Sequence, residues 1–155
     1  MIFSEITLPA NPPGEVPLTR EQVWRGLEQK ARNAVPYVAA ITECTVVEEL
    51  SDTVFDREVL LGGARYVERI WLGEPNIVVF TRTAGPVLGT IINEILDKDG
   101  ELSLRFQFAL NVAPDTDLPI NETELSEQMQ TAYAAAVRST LAAVRAELAA
   151  TGSAR

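Results

Sequence analysis

Val54 to Trp71 read VFDREVLLGGARYVERIW, two strand-like runs hinged at Gly62-Gly63. Paired glycines supply the positive φ angles that a two-residue hairpin turn requires. Because strand side chains alternate between faces, such a turn fixes every cross-strand pair. Leu61 then lies opposite Ala64, Val59 opposite Tyr66, Arg57 opposite Glu68 and Phe55 opposite Ile70. The other face pairs Leu60 with Arg65, Glu58 with Val67, Asp56 with Arg69 and Val54 with Trp71. The first face gathers apolar and aromatic residues around one ion pair and is expected to point inward. The second is rich in charge and is expected to meet water.

Asp99-Gly100 invites the same treatment. It sets Asp97 against Leu102, Ile95 against Leu104, Asn93 against Phe106 and Ile91 against Phe108, which makes the aromatic face the inner one. Outside lie Leu96 with Ser103, Glu94 with Arg105 and Ile92 with Gln107. The expected inner surface therefore carries Arg57, Glu68 and Asn93 as polar intruders at mid-strand, with Tyr66 nearby. A guanidinium keeps its proton in proteins, and burying it unpaired costs several kcal/mol. Either Glu68 neutralises Arg57 as a structural pair, or Arg57 faces a wet cavity and meets an anionic or carbonyl-bearing ligand. The two can coexist. For Asn93 a satisfied core amide and a ligand contact are both open. The remaining hairpins have loops of less certain length, and no faces are assigned there.

Outward from these hairpins, Ile2 to Leu8 alternates like a strand, and Asn11-Pro12-Pro13-Gly14 forms a rigid loop. Thr19 and Gln22 make a capping box for a helix running to about Arg32. Pro36 is expected to start a second short helix through Tyr37, Val38 and Ala40. Breaks at Ser51-Asp52, Gly62-Gly63, Gly73-Glu74-Pro75, Ala84-Gly85-Pro86 and Asp99-Gly100 divide residues 43–110 into six antiparallel strands. After Pro114 and Pro119, Asn121 and Glu124 cap a long helix. Its apolar residues, from Leu125 through Met129, Tyr133 and Val137 to Leu148, recur with a period near 3.6 and carry it to about Ala150. The chain of 155 residues suits a single domain over residues 1–151, with 152–155 as a loose tail. A chain of this length buries about 70% of its unfolded surface, enough for a full core and an adjoining cavity.

Composition narrows the partners. Apolar residues make up 46% and charged ones 23%, which excludes a disordered or fibrous chain. The net charge of −9, with no Lys/Arg-rich run, argues against nucleic acid and anionic membrane surfaces. There is no histidine, so imidazole catalysis and His-ligated metals are excluded. Cys44 stands alone, with no disulfide partner, and reads as a small buried hydrophobe. The opening MIFSEITLPANPPG has neither a basic nor a long apolar run, and no stretch approaches ~18 apolar residues. A cytoplasmic protein is expected.

Weaker signals have simpler readings. Asp97-Lys98-Asp99-Gly100 lacks the downstream Glu of a calcium loop and is explained by its hairpin. Asn121-Glu122-Thr123 is a glycosylation sequon that serves as a helix cap. Gly85, Pro86 and Gly89 fit a strand connection rather than a phosphate loop. No metal and no cofactor is expected.

The chain resembles the SRPBCC superfamily, the START and Bet v-type proteins, and within it the AtaL-like branch. The segments that carry this are NPPG (11–14), LTREQVWRGLEQKAR (18–32), Arg57-Glu58-Val59, Glu68-Arg69-Ile70, Asn93 within TIINEI, and DGELSLRFQF (99–108). The resemblance implies an α+β helix-grip fold: a curved antiparallel seven-stranded sheet around a long C-terminal helix, with two short helices after the first strand. It implies an internal cavity for an apolar small molecule derived from a polyketide, peptide or lipid. Ring-hydroxylating oxygenases of the superfamily need iron-binding histidines, which are absent here.

Two functions follow as expectations. One is a cofactor-free cyclase or aromatase, in which Arg57 holds a carboxylate or developing enolate and Tyr66 moves the proton, or Glu68 does so as a base if its pair with Arg57 opens on substrate entry. The other is a non-catalytic carrier that sequesters the ligand. A filled cavity and purely protein contacts would be the third outcome. Candidate ligand contacts are Trp24, Tyr37, Arg57, Tyr66, Glu68, Asn93, Phe106, Phe108, Met129 and Tyr133. Of these, Trp24 and Tyr37 fit either the cavity entrance or ordinary packing, and Met129 and Tyr133 belong to the helix face that walls the pocket in this fold. A monomer or weak homodimer is expected.

Overall fold

The computed structural model describes residues 1–114 and 121–151; Pro119 and the expected tail at 152–155 lie outside them. In chain order the elements are β1 (Ile2–Pro9), α1 (Arg20–Arg32), β2 (Ile41–Glu49), β3 (Val54–Leu61), β4 (Ala64–Gly73), β5 (Ile77–Ala84), β6 (Val87–Lys98), β7 (Glu101–Val112) and α2 (Glu122–Thr151). The strands form one antiparallel sheet in the order β1-β7-β6-β5-β4-β3-β2. β2 to β7 are a meander, and β1 closes the far edge by pairing with β7. Register breaks in β2–β3 and β4–β5 are the kind of bulge that bends a sheet. The curved seven-stranded sheet and long C-terminal helix are those of the helix-grip fold.

Both glycine-marked hairpins adopt the expected pairing, rung for rung. Gly62 and Gly63 sit at φ 58° and 81°, and Asp99 and Gly100 at 55° and 85°. Aspartate tolerates this region, and the Asp97 carboxylate fastens the turn by accepting from the Gly100 amide at 3.0 Å. Phe55, Val59, Ile70, Ile95, Leu104 and Phe106 are buried on the concave face. Glu94–Arg105, Asp56–Arg69 and Glu58–Arg65 are ion pairs of the outer face.

α1 starts with the Thr19 capping box and buries Val23, Trp24, Leu27 and Ala31. It crosses α2 closely at Gly26, where a Cβ would lie 2.3 Å from a Val144 methyl. At the start of α2, the Asn121 carboxamide accepts from the Thr123 and Glu124 amides. α2 rests on α1, β1 and β7 and buries Val137, Thr140, Leu141 and Val144. The expected second short helix is not formed. Residues 34–40 make one turn, in which the Tyr37 and Val38 amides both donate to the Ala34 carbonyl at 2.9 Å. Pairing of Ile41 with Leu61 begins at once, leaving too few residues to pay for helix nucleation. Gly89 also departs from expectation: it lies inside β6 opposite Leu110, while Gly85 and Pro86 make the turn before it.

Candidate ligand cavity

Between the concave sheet and the N-terminal half of α2 lies a cavity of about 450 Å³. That volume is within the usual range of about 300–1,000 Å³ for small-molecule sites. Val59, Phe80, Ile91 and Phe106 wall it from the sheet, and Leu125, Met129 and Ala136 from the helix. Set into these walls are Lys30, Arg57, Tyr66, Glu68, Arg82 and Asn93, with Tyr133 on the helix side.

The charges are arranged around Glu68. Arg57 Nε donates to Glu68 Oε1 at 2.9 Å, and its Nη2 lies 2.8 Å from the same oxygen. Arg82 Nε donates to Oε2 at 3.1 Å. Arg57 Nη1 turns the other way and donates to the carbonyls of Lys30 and Ala31, at 3.0 and 2.8 Å. These carbonyls belong to the last turn of α1, where main-chain acceptors lack helical partners and the helix dipole favours a cation. Arg57 therefore ties the sheet to the end of α1 as well as pairing with Glu68. Burial would raise the Glu68 carboxyl, but the two guanidinium groups outweigh it and hold its pKa below the ordinary value.

Lys30, in that same last turn, sends its stem through the core and its amine into the cavity. Nζ donates to Asn93 Oδ1 at 2.7 Å and lies 4.8 Å from the centres of the Phe80 and Phe106 rings. Burial, reinforced by the Arg57 charge, brings its pKa from 10.5 down to about 7. Asn93 is 1% exposed, and among the described residues its Nδ2 finds no hydrogen-bond partner. An orphaned buried donor beside a void is a place for a ligand acceptor. The Arg82 guanidinium lies over the Tyr66 ring at 4.3 Å. Burial pushes the Tyr133 phenol up to about 12 and also raises Tyr66.

Seven of the ten sequence candidates line this cavity: Arg57, Tyr66, Glu68, Asn93, Phe106, Met129 and Tyr133. Trp24, Tyr37 and Phe108 do not. Trp24 is packed on the buried side of α1. Tyr37 turns its hydroxyl to Gln29 Oε1 at 2.9 Å, and its carbonyl accepts from Ser139 Oγ, which pins the 34–40 turn to α2. Phe108 stacks on Tyr133 at 4.6 Å and borders a separate hollow of about 200 Å³ under β1. Cys44 is half-buried at the sheet edge rather than in the core, with Sγ 3.8 Å from the Arg32 carbonyl.

Lys30 and Arg82 are polar residues of the cavity that the two hairpin registers do not reach. Lys30 follows Val23 and Leu27 on the apolar side of α1, a place where helical counting could have found it. Arg82 follows Val78 and Phe80 by strand alternation. With these two included, two guanidinium groups and an amine face one carboxylate, so the described walls of the cavity hold more positive than negative charge.

The fold is shared with solved structures of low sequence identity. A START superfamily protein from Mycobacterium smegmatis matches with a TM-score of 0.68 at 12% identity, covering 92% of this chain and 96% of that one. The Zhui aromatase/cyclase from Streptomyces sp. R1128 matches at 0.64 and 17% identity, covering 94% and 92%. A protein of Thermus thermophilus matches at 0.66 and 15% identity, covering 97% of each chain. None of the curated proteins matches the sequence significantly. Residues 4–152, however, match the family described as AtaL, Acetylaranotin biosynthesis cluster protein L, and the chain belongs to that AtaL family.

Proposed function

We propose that this protein binds an apolar small molecule of polyketide, peptide or lipid origin and acts on it as a cofactor-free cyclase. The observation that carries the reading is the apolar cavity with surplus positive charge at its floor. Such a site favours a ligand with a greasy body and one anionic or enolisable carbonyl group. The biosynthetic setting is supported by the family's description and by the likeness to an aromatase/cyclase. Asn93 Nδ2 and the Lys30 amine would receive the ligand oxygen, while Arg82 and Arg57 favour negative charge that develops as an enolate forms. Tyr66, on the cavity wall, is the proton donor in this scheme. The expected role of Glu68 as a base gives way to a positioning role, because both its oxygens are engaged by arginines.

That same engagement favours a second reading, a carrier that holds the ligand without turnover, since among the described residues of the cavity no carboxylate is free to take a proton. In either reading the protein is a cytoplasmic monomer or weak homodimer, and its partner is the small molecule.

Titration with 1-anilinonaphthalene-8-sulfonate, an apolar dye with one negative charge, tests the binding. One dye per chain is expected, with at least a tenfold loss of affinity in Ala132→Trp, which fills the cavity from α2. Equal affinity in both proteins, or no saturable binding, rejects the reading. Native mass spectrometry of the purified protein then identifies any retained ligand, whose conversion or survival on incubation separates cyclase from carrier.

A further inference from the structure

Lys30 forms no salt bridge among the described residues. Its stem is buried in the core, and its amine faces an amide oxygen and two aromatic rings. Glu68, the carboxylate of the cavity, has both oxygens taken by Arg57 and Arg82. A lysine whose amine has Asn93 as its one hydrogen-bond partner among the described residues, beside a guanidinium and open to an apolar void, has the surroundings that make an amine nucleophilic. We propose that Lys30 is a covalent ligand site, whose ε-amine condenses with the carbonyl carbon of an apolar aldehyde or ketone seated in the cavity.

In this step the nitrogen lone pair forms the C–N bond and one of the two amine protons passes to the carbonyl oxygen, giving a neutral carbinolamine. Loss of the nitrogen-bound proton and the hydroxyl group as water leaves an imine, with no change of oxidation state. The orphaned Asn93 Nδ2 is placed to donate to the carbonyl oxygen during addition. Tyr66 and Tyr133 line the same cavity and, held protonated by burial, can relay a proton, giving one to the departing hydroxyl and taking the remaining one from nitrogen. The groups that bear on the amine are Arg57 on β3, Glu68 on β4, Cys44 on β2 and Asn93 on β6. With a pKa of about 7 the amine is about half unprotonated at neutral pH, against less than about one part in a thousand for an exposed lysine.

The inference rests on the proposed ligand cavity, and the sequence makes it simple to test, because Lys30 and Lys98 are the only two lysines. The full chain is incubated at pH 7 with 2-naphthaldehyde and sodium cyanoborohydride, whose hydride fixes an imine as a secondary amine. Peptide mapping then locates the adduct among Lys30, the exposed Lys98 and the Met1 amine. Labelling of Lys30 at least tenfold above Lys98 is expected, with the Lys30 adduct competed by the anionic dye. It should be lost in Lys30→Arg and Lys30→Met, at least one of which retains the wild-type circular dichroism spectrum. Labelling of Met1 and Lys98 alone, with dye binding intact, overturns the covalent site and leaves the binding function standing. Failure of both labelling and dye binding overturns the two together.

Discussion

On the β3–β4 hairpin, Asp56–Arg69 and Arg57–Glu68 are successive rungs, the first facing water and the second facing the cavity. The outer rung is a two-pronged fork, with Arg69 Nε and Nη2 at 2.9 and 3.0 Å from the two carboxylate oxygens of Asp56. Arg69 is half-exposed, and solvent satisfies whatever the fork leaves over. Glu68, at 2% exposure, has no such recourse. It is met by a second arginine, and Arg57 in turn places its remaining donors on the end of α1. Where the dielectric is low, a pair must grow into a network before its desolvation is offset. The same sequence element, read one residue apart, thus gives a surface ornament on one face and the keystone of a site on the other.

Glu68→Gln breaks the inner network with almost no change of shape and has the largest expected effect. Arg57 and Arg82 would face a neutral amide, with the Lys30 amine close by, so two guanidinium groups stay buried without an anion. Removing one partner of a buried pair costs about 3–5 kcal/mol, a large part of the stability of an ordinary domain. Urea denaturation at pH 7 checks this. A loss below about 1 kcal/mol would mean that the network is wetter than its burial implies.

Lys30 sharpens the contrast through pH. Its pKa is about 7 in the folded chain and near 10.5 when unfolded. Between these values the unfolded chain holds more protons, so this group makes stability rise as pH climbs from about 7 to about 10.5. Below pH 7 both states are protonated and the full penalty of burying the charge applies, on the order of 5 kcal/mol. Lys30→Met removes the titration, so its stability, measured by urea midpoint at pH 7, 8.5 and 9.5, should have a flatter slope than the wild type. Parallel slopes would show that the amine is not desolvated.

The residues of these two rungs were legible because Gly62-Gly63 favours a two-residue turn, which fixes the register of the hairpin. The inward place of Arg57, Glu68 and Asn93 follows from alternation alone. Arg82 was hidden because the chain between β4 and β5 is not a two-residue turn. The pairing also skips from Val67–Ala84 to Glu68–Arg82, so counting from the Gly85-Pro86 end loses the face. Lys30 was hidden for another reason: a lysine in the last turn of a helix ordinarily serves the dipole from solvent. Counting from Val23 and Leu27 puts it on the buried side all the same; what α1 alone does not contain is the tertiary placement of Asn93 and Arg57 that meets the amine there. The second short helix illustrates the reverse failure, a local proline signal overruled by strand pairing at Ile41.

Asp56→Asn is the smallest expected effect and completes the comparison. The hydrogen bonds from Arg69 hold the Asp56 carboxyl below its usual range. A carboxyl lowered in the folded state stabilises it above the unfolded pKa, about 3.9, and loses that contribution as pH falls through the folded value. Exposed pairs contribute little, because water and salt screen them and two side chains must be ordered to make them. The urea midpoint of Asp56→Asn at pH 7 should therefore fall far less than that of Glu68→Gln. Its small deficit against the wild type should narrow as pH falls below the unfolded value and Asp56 begins to take up its proton, and should shrink in high salt. A deficit as large as that of Glu68→Gln, or one that persists in acid, would show that depth in the fold does not separate the two rungs.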